Sequence, residues 1–155
     1  MEIKEKIIQT LMSVADELDG LRAEWFIYGG AATILSGIDI GTTSDIDILT
    51  TSAGTDELRT ALKRYMETSP KTKEDDLFRS DFVRFRLPLM EIEASGDLQI
   101  KKDGAWRDVI IREYDVLTLG GVTAKVPTLS EQKRLLTLFG RAKDLRRLEL
   151  LNRLT

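Results

Sequence analysis

The chain has 155 residues, a formal net charge of −3, and neither cysteine nor histidine. The length fits one domain, or one domain with a small appendage, and the missing residue types exclude disulfides, thiolate zinc sites and cysteine nucleophiles, along with the commonest general base. Metal chemistry here must use oxygen ligands, which favours Mg²⁺, Mn²⁺ or Ca²⁺ over zinc or copper.

The opening residues show no signal-peptide profile and no apolar run is long enough to span a bilayer, so a cytoplasmic protein without membrane contact is expected. Ile3, Ile7, Leu11, Val14 and Leu18 fall at steps of four, four, three and four, which predicts one helix stopped at Gly20. "EWFIYGG" reads as a short strand ending in Gly29 and Gly30, and "AATILSG" as a helix ending near Gly37. "SDIDILTT" reads as a strand with Ile46 and Ile48 on one face and Asp45 and Asp47 on the other. "TDELRTALKRYMET" is helical, with Leu58, Ala61, Leu62 and Tyr65 inward. "SDFVRFRLP", "LMEIEAS" and "DLQIKK" predict three strands, and "YDVLTLGGVTAKVPT" a hairpin about Gly120 and Gly121. Thr128 with Glu131 forms a capping-box pattern opening the next helix. After Gly140, a last amphipathic helix is expected to turn Ala142, Leu145, Leu148 and Leu151 inward. Trp25 and Trp106 read as packing residues. From Glu131 onward there are seven basic residues against three acidic ones, read mainly as a solvated helix face. The whole is a mixed α/β (α+β) order.

Two carboxylates inside a strand need an explanation. Asp45 and Asp47 leave the same strand face, where they repel one another unless a cation sits between them. The glycine pair upstream allows the backbone to approach a ligand closely, and the following helix offers free N–H groups to a phosphate. A glycine turn with paired carboxylates suits metal-assisted phosphoryl or nucleotidyl chemistry.

The stretch "YGGAATILSGIDIGTTSDIDIL" resembles the signature of the DNA polymerase β-like nucleotidyltransferase superfamily: Gly-Gly or Gly-Ser, a spacer about one helix long, then Asp-hydrophobic-Asp-hydrophobic. It is similar to minimal nucleotidyltransferases, aminoglycoside nucleotidyltransferases and abortive-infection nucleotidyltransferase toxins, in which a stretch like "KVPTLSEQKRLLTLFGRAKDLRRLELL" follows the catalytic half. The resemblance implies a mixed β-sheet flanked by helices with a C-terminal helical pair. It implies a catalytic domain over 1–127 and a helical extension over 128–155 packed on it.

The implied reaction moves a nucleoside monophosphate from an NTP, such as ATP, to an acceptor hydroxyl on a small molecule, a protein or an RNA. Asp45, Asp47 and a third carboxylate would hold Mg²⁺ or Mn²⁺, and Gly29, Gly30, Thr43 and Ser44 would bind the nucleotide. For the third carboxylate, Glu91 and Glu93 share a strand face, and the form "IEASGD" lies nearer the family pattern, favouring Glu93. With no histidine present, Glu93 or a neighbour would take the acceptor proton. One departure stands out: the basic residue that many relatives carry ahead of the aspartate pair is missing, and Gly41 occupies that neighbourhood. "GRAKD", with Lys143 and Asp144, reads as structural. The alternative function is a catalytically idle nucleotide-binding partner in regulation or a toxin–antitoxin pair.

Overall fold

The computed structural model describes residues 1–155. In chain order the elements are α1 (Ile3–Ser13), α2 (Ala15–Asp19), β1 (Phe26–Tyr28), α3 (Gly29–Leu35), β2 (Asp45–Thr50), α4 (Ser52–Ala61), β3 (Thr72–Glu74), β4 (Phe78–Arg86), β5 (Glu91–Lys102), β6 (Ala105–Asp108), β7 (Tyr114–Leu119), β8 (Val122–Pro127), α5 (Leu129–Phe139) and α6 (Ala142–Leu154). The eight strands form one sheet in the order β3-β4-β5-β2-β1-β8-β7, with β6 paired to β5. It is mixed: β2 runs parallel to β5 and β1 parallel to β8, while the other pairs are antiparallel. This is an α+β fold ending in a helical pair.

Alternation divides the strands between two cores. One face sends Ile27, Ile46, Ile48, Val83, Phe85, Ile92 and Ala94 against Ile7, Leu11, Leu18, Ile34 and Leu58 of the first four helices. The other sends Phe26, Leu49, Leu98 and Ile100 against Leu135 and Phe139 of α5. The second cluster is much the smaller, and the site lies beside it.

Several elements depart from the sequence expectation. The first helix is two, because Val14 leaves helical dihedrals (φ −127°, ψ 28°) while its β-branched side chain stays fully buried. The helix expected over 55–68 starts earlier, where Thr51 accepts from the Gly54 N–H at 3.0 Å, and gives way to a 3₁₀ turn at Lys63–Tyr65. The two strands expected over 89–102 are one. Asp97, at φ 51°, is an extra residue opposite β4, and pairing jumps from Arg79–Gln99 to Asp81–Gly96. The bulge resets the alternation, so Leu98 and Ile100 join the face of Glu93 and Ser95. Strands β3 and β6 are short, polar and exposed or nearly so, with no alternation to announce them.

The hairpin between β7 and β8 turns at Gly120 and Gly121 (φ 55° and 95°), as a two-residue primed turn requires. Only half of the capping box exists. Thr128 accepts from the Glu131 N–H at 3.2 Å, but the buried Glu131 carboxylate turns away to the Arg112 and Glu113 N–H groups and to Arg134. The last helix buries Leu151 as expected but otherwise differs: Ala142 and Leu145 are exposed, and Asp144 is buried. Asp144 goes inside because it accepts the Arg141 backbone N–H (3.1 Å) and Arg141 Nε (2.6 Å), closing the helix start.

Candidate active site

The register of three strands assembles the site. Tyr28 lies opposite Asp47 across β1–β2, and Asp45 and Asp47 lie beside Glu91 and Glu93 along the parallel β2–β5 ladder. Shared parity puts all five side chains on the face toward α5. One oxygen each from Asp45, Asp47 and Glu93 lies within 4.8 Å of the others. Glu91 stays out of this group. Its carboxylate, more than a third exposed, is flanked by Arg84 and Arg86, each at 3.6 Å.

Burial pushes Asp47 well above the usual carboxylate range, the neighbouring Asp45 charge adds to the effect and Glu93 adds again, while Lys143 pulls the other way. Tyr28 is likewise raised, first by burial and then by Asp47, so its phenol stays a neutral group at the floor of the site. Three oxygen ligands held close together at mutual cost fit a hard divalent cation, which would relieve the repulsion.

The glycine pair interlocks with this group. Gly29 has φ +70°, and a Cβ there would lie 2.7 Å from Asp47 Oδ2; a Cβ on Gly30 would lie 2.7 Å from Thr43 Oγ1. Both glycines are therefore needed for the aspartate strand and the loop before it to come so close. Gly29, Gly30, Thr43, Ser44, Asp45, Asp47 and Glu93 all line one cavity of about 400 Å³. Phe78, Phe82, Leu98, Leu135 and Phe139 also line it, with the Phe78 and Phe139 rings edge to face at 4.9 Å.

The cation missing ahead of the aspartates arrives from elsewhere. Lys143 and Arg147, four apart on α6, line the cavity without a salt-bridge partner, and Arg147 Nη1 lies 3.5 Å from the Cβ position of Gly30. Arg141 also lines it, with its guanidinium 5.0 Å from the Phe78 ring centroid. These residues belong to the stretch read as a solvated basic face; the excess of charge was visible, its direction was not. Arg84 and Tyr28 were also missed, since only strand pairing brings them to the carboxylates. Of the tryptophans, Trp25 is buried, and Trp106 sits on β6 with Arg79 4.5 Å from its ring centroid.

Similar architectures are known. A Thermotoga maritima protein, TM1012, provisionally assigned as a nucleotidyltransferase, superposes with a TM-score of 0.81 at 19% identity, over 96% of this chain and 93% of that one. The lincosamide antibiotic adenylyltransferase LnuA gives 0.57 at 13% identity, covering 97% and 98%. The antibiotic-resistance factor ANT(2'')-Ia gives 0.54 at 13%, covering 97% and 84%. At these identities the likeness is one of fold. A comparison with curated protein sequences finds no match. No helix is long and apolar enough to cross a membrane. The profile of one family matches residues 10–133, from α1 to α5 and across every strand, and by that match the chain belongs to the aminoglycoside-2''-adenylyltransferase family.

Proposed function

We propose that the protein is a nucleotidyltransferase that moves a nucleoside monophosphate from an NTP to an acceptor hydroxyl, with Asp45, Asp47 and Glu93 as ligands of Mg²⁺ or Mn²⁺. The observation that carries this reading is the steric interlock of the glycine turn with a three-carboxylate group in one cavity. Divalent ions bound there would neutralise phosphate charge and lower the pKa of the acceptor hydroxyl. Gly29 and Gly30 keep side-chain bulk away from the phosphates, and Thr43 and Ser44 offer hydroxyls to them. Lys143 and Arg147 reach the same space from α6 and supply the positive charge that the loop before Asp45 lacks. Residues 128–155 thus act with 1–127 as one catalytic unit. The acceptor hydroxyl gives its proton to Glu93 or a neighbouring carboxylate, its oxygen forms the new bond to the α-phosphorus, and the bond from that phosphorus to the pyrophosphate oxygen breaks.

The family name and the neighbours' names point first to antibiotic acceptors, aminoglycosides and lincosamides, with protein and RNA acceptors next. The test is label transfer from four α-labelled NTPs with Mg²⁺ or Mn²⁺, assayed on tobramycin, lincomycin, the protein itself and total RNA. Transfer abolished by Asp45→Asn or Asp47→Asn is expected. Nucleotide binding without transfer to any of these would point instead to an idle partner, and failure to bind any metal–nucleotide would end the nucleotidyltransferase reading.

A further inference from the structure

The three carboxylates of the site are not equivalent. The Asp45 carboxylate accepts from Ser44 Oγ at 3.3 Å, and no basic side chain is bonded to either aspartate. Glu93 is already engaged. Arg84, its direct partner across the β4–β5 ladder, donates Nε at 2.8 Å and Nη2 at 2.6 Å to the same oxygen, Oε1. The guanidinium is held on its other sides as well. Nη1 lies 3.7 Å from Glu67 Oε2, a buried oxygen with no hydrogen-bond partner, and Nε lies 3.6 Å from Glu91 Oε2. Three glutamates thus flank one planar fork and favour this position, while the side chain keeps 33% of its surface exposed.

The consequences are chemical. Oε1 of Glu93 is committed to two charge-assisted bonds, which leaves Oε2 as the oxygen without a partner. The Arg84 charge also weakens the attraction of Glu93 for a divalent cation. The aspartate pair has no basic side chain bonded to it: Lys143 acts on Asp47 through space and forms no salt bridge with it.

Resting on the function proposed above, we infer that Arg84 is a positioning residue for the third carboxylate: it restricts Glu93 to one-oxygen coordination and makes the metal site that includes Glu93 weaker than the site of the aspartate pair. Loading is then ordered, with the first ion on Asp45 and Asp47 and the second held back by the arginine. Glu93 is a directed ligand, kept in one orientation between turnovers.

The test uses the full chain and Mn²⁺ as probe, titrated by electron paramagnetic resonance in the presence of a non-hydrolysable ATP analogue. The wild type is expected to bind two Mn²⁺ ions with affinities at least about tenfold apart. Glu93→Gln should remove the weaker site and keep the tighter. Arg84→Gln, which removes both charge and fork, should tighten the weaker site by about tenfold. Arg84→Lys keeps the charge but loses the fork, so it should tighten that site by less, and it serves should Arg84→Gln fail to fold by circular dichroism. A merely structural arginine would not raise metal affinity when removed. Equal affinities in the wild type, or a weaker site left unchanged or loosened in the folded Arg84 variants, overturns the inference. Absence of any Mn²⁺ binding, with or without nucleotide, is a separate result that overturns the nucleotidyltransferase reading beneath it.

Discussion

Toward the first four helices, β1, β2, β4 and β5 bury Ile27, Ile46, Ile48, Phe85 and Ile92 with no exposed surface, whereas toward α5 and α6 the alternate residues are Tyr28, Asp45, Asp47, Arg84 and Glu93. Neighbours one position apart on the same strand thus answer to different demands. The first face is packed for stability. On the second, like charges are crowded and the ionised form of Asp47 is held at a cost. The lesson is that the larger core and the candidate site are separated here by strand parity, so single substitutions should be able to move one without the other.

Ile46→Ala is expected to have the largest effect on stability, about 2–5 kcal/mol for a fully buried isoleucine, seen as a fall in Tm of order 10 °C. Mn²⁺ affinity measured well below that Tm should stay near wild type; if it collapsed while Tm held, the division between the faces would be wrong. Replacing both Lys143 and Arg147 by alanine should weaken NTP binding by about a hundredfold, or about 2.7 kcal/mol, with little change in Tm, since neither side chain has a salt-bridge partner to lose. Calorimetry with an unreactive nucleotide analogue reads this directly, and unchanged affinity would remove α6 from the site.

Gly29→Ala joins the two faces. The positive φ costs an L-residue about 1–2 kcal/mol, and the new Cβ, 2.7 Å from Asp47 Oδ2, must displace the carboxylate. A modest loss of Tm with full loss of metal-dependent transfer is expected; retained transfer would mean that the interlock is incidental.

The smallest effect has the opposite sign. Asp47→Asn should raise the Tm of the metal-free protein slightly while abolishing metal binding. The folded-state pKa of Asp47 is raised, so ionising it opposes folding at neutral and alkaline pH. That opposition fades as pH falls through the raised folded value and is gone below the ordinary carboxylate range, where both states are protonated. The gain in Asp47→Asn should therefore vanish toward acid pH, and melting curves across pH would expose a gain that persisted there.

How much of this the sequence disclosed follows from how local each feature is. The glycine pair and the "DID" strand are adjacent elements with strong alternation, and the fold class and the candidate carboxylates could be read from them. The choice between Glu91 and Glu93 could not be settled by alternation, since both face the same way; Arg84 and Arg86 flank the first, and only strand pairing places them there. Strand β5 read as two because the bulge at Asp97 breaks its period, and β3 and β6 carried no period. The position of the exposed Lys143 and of Arg147 at the cavity was hidden for another reason. Leu145 suggested which side of α6 faces in, yet it is half exposed, and the helix instead buries Asp144 against Arg141. That preference comes from a cap at its first turn and leaves no trace in hydrophobic spacing.

The parallel pairing of β2 with β5 sets when the site can come into being. Asp47 and Glu93 are distant in sequence and meet only through that ladder, which is closed after β4 has been laid down between them in the chain. Contacts of such long sequence separation carry a high loop-closure cost and tend to form late in folding. A slip of one residue in the ladder would also bring Ile92 or Ala94 to the place of Glu93 and turn every other side chain over. On the proposed function, metal capacity would therefore be a signal of completed, correctly registered folding, and a nascent or misregistered chain would have no three-carboxylate group with which to begin chemistry.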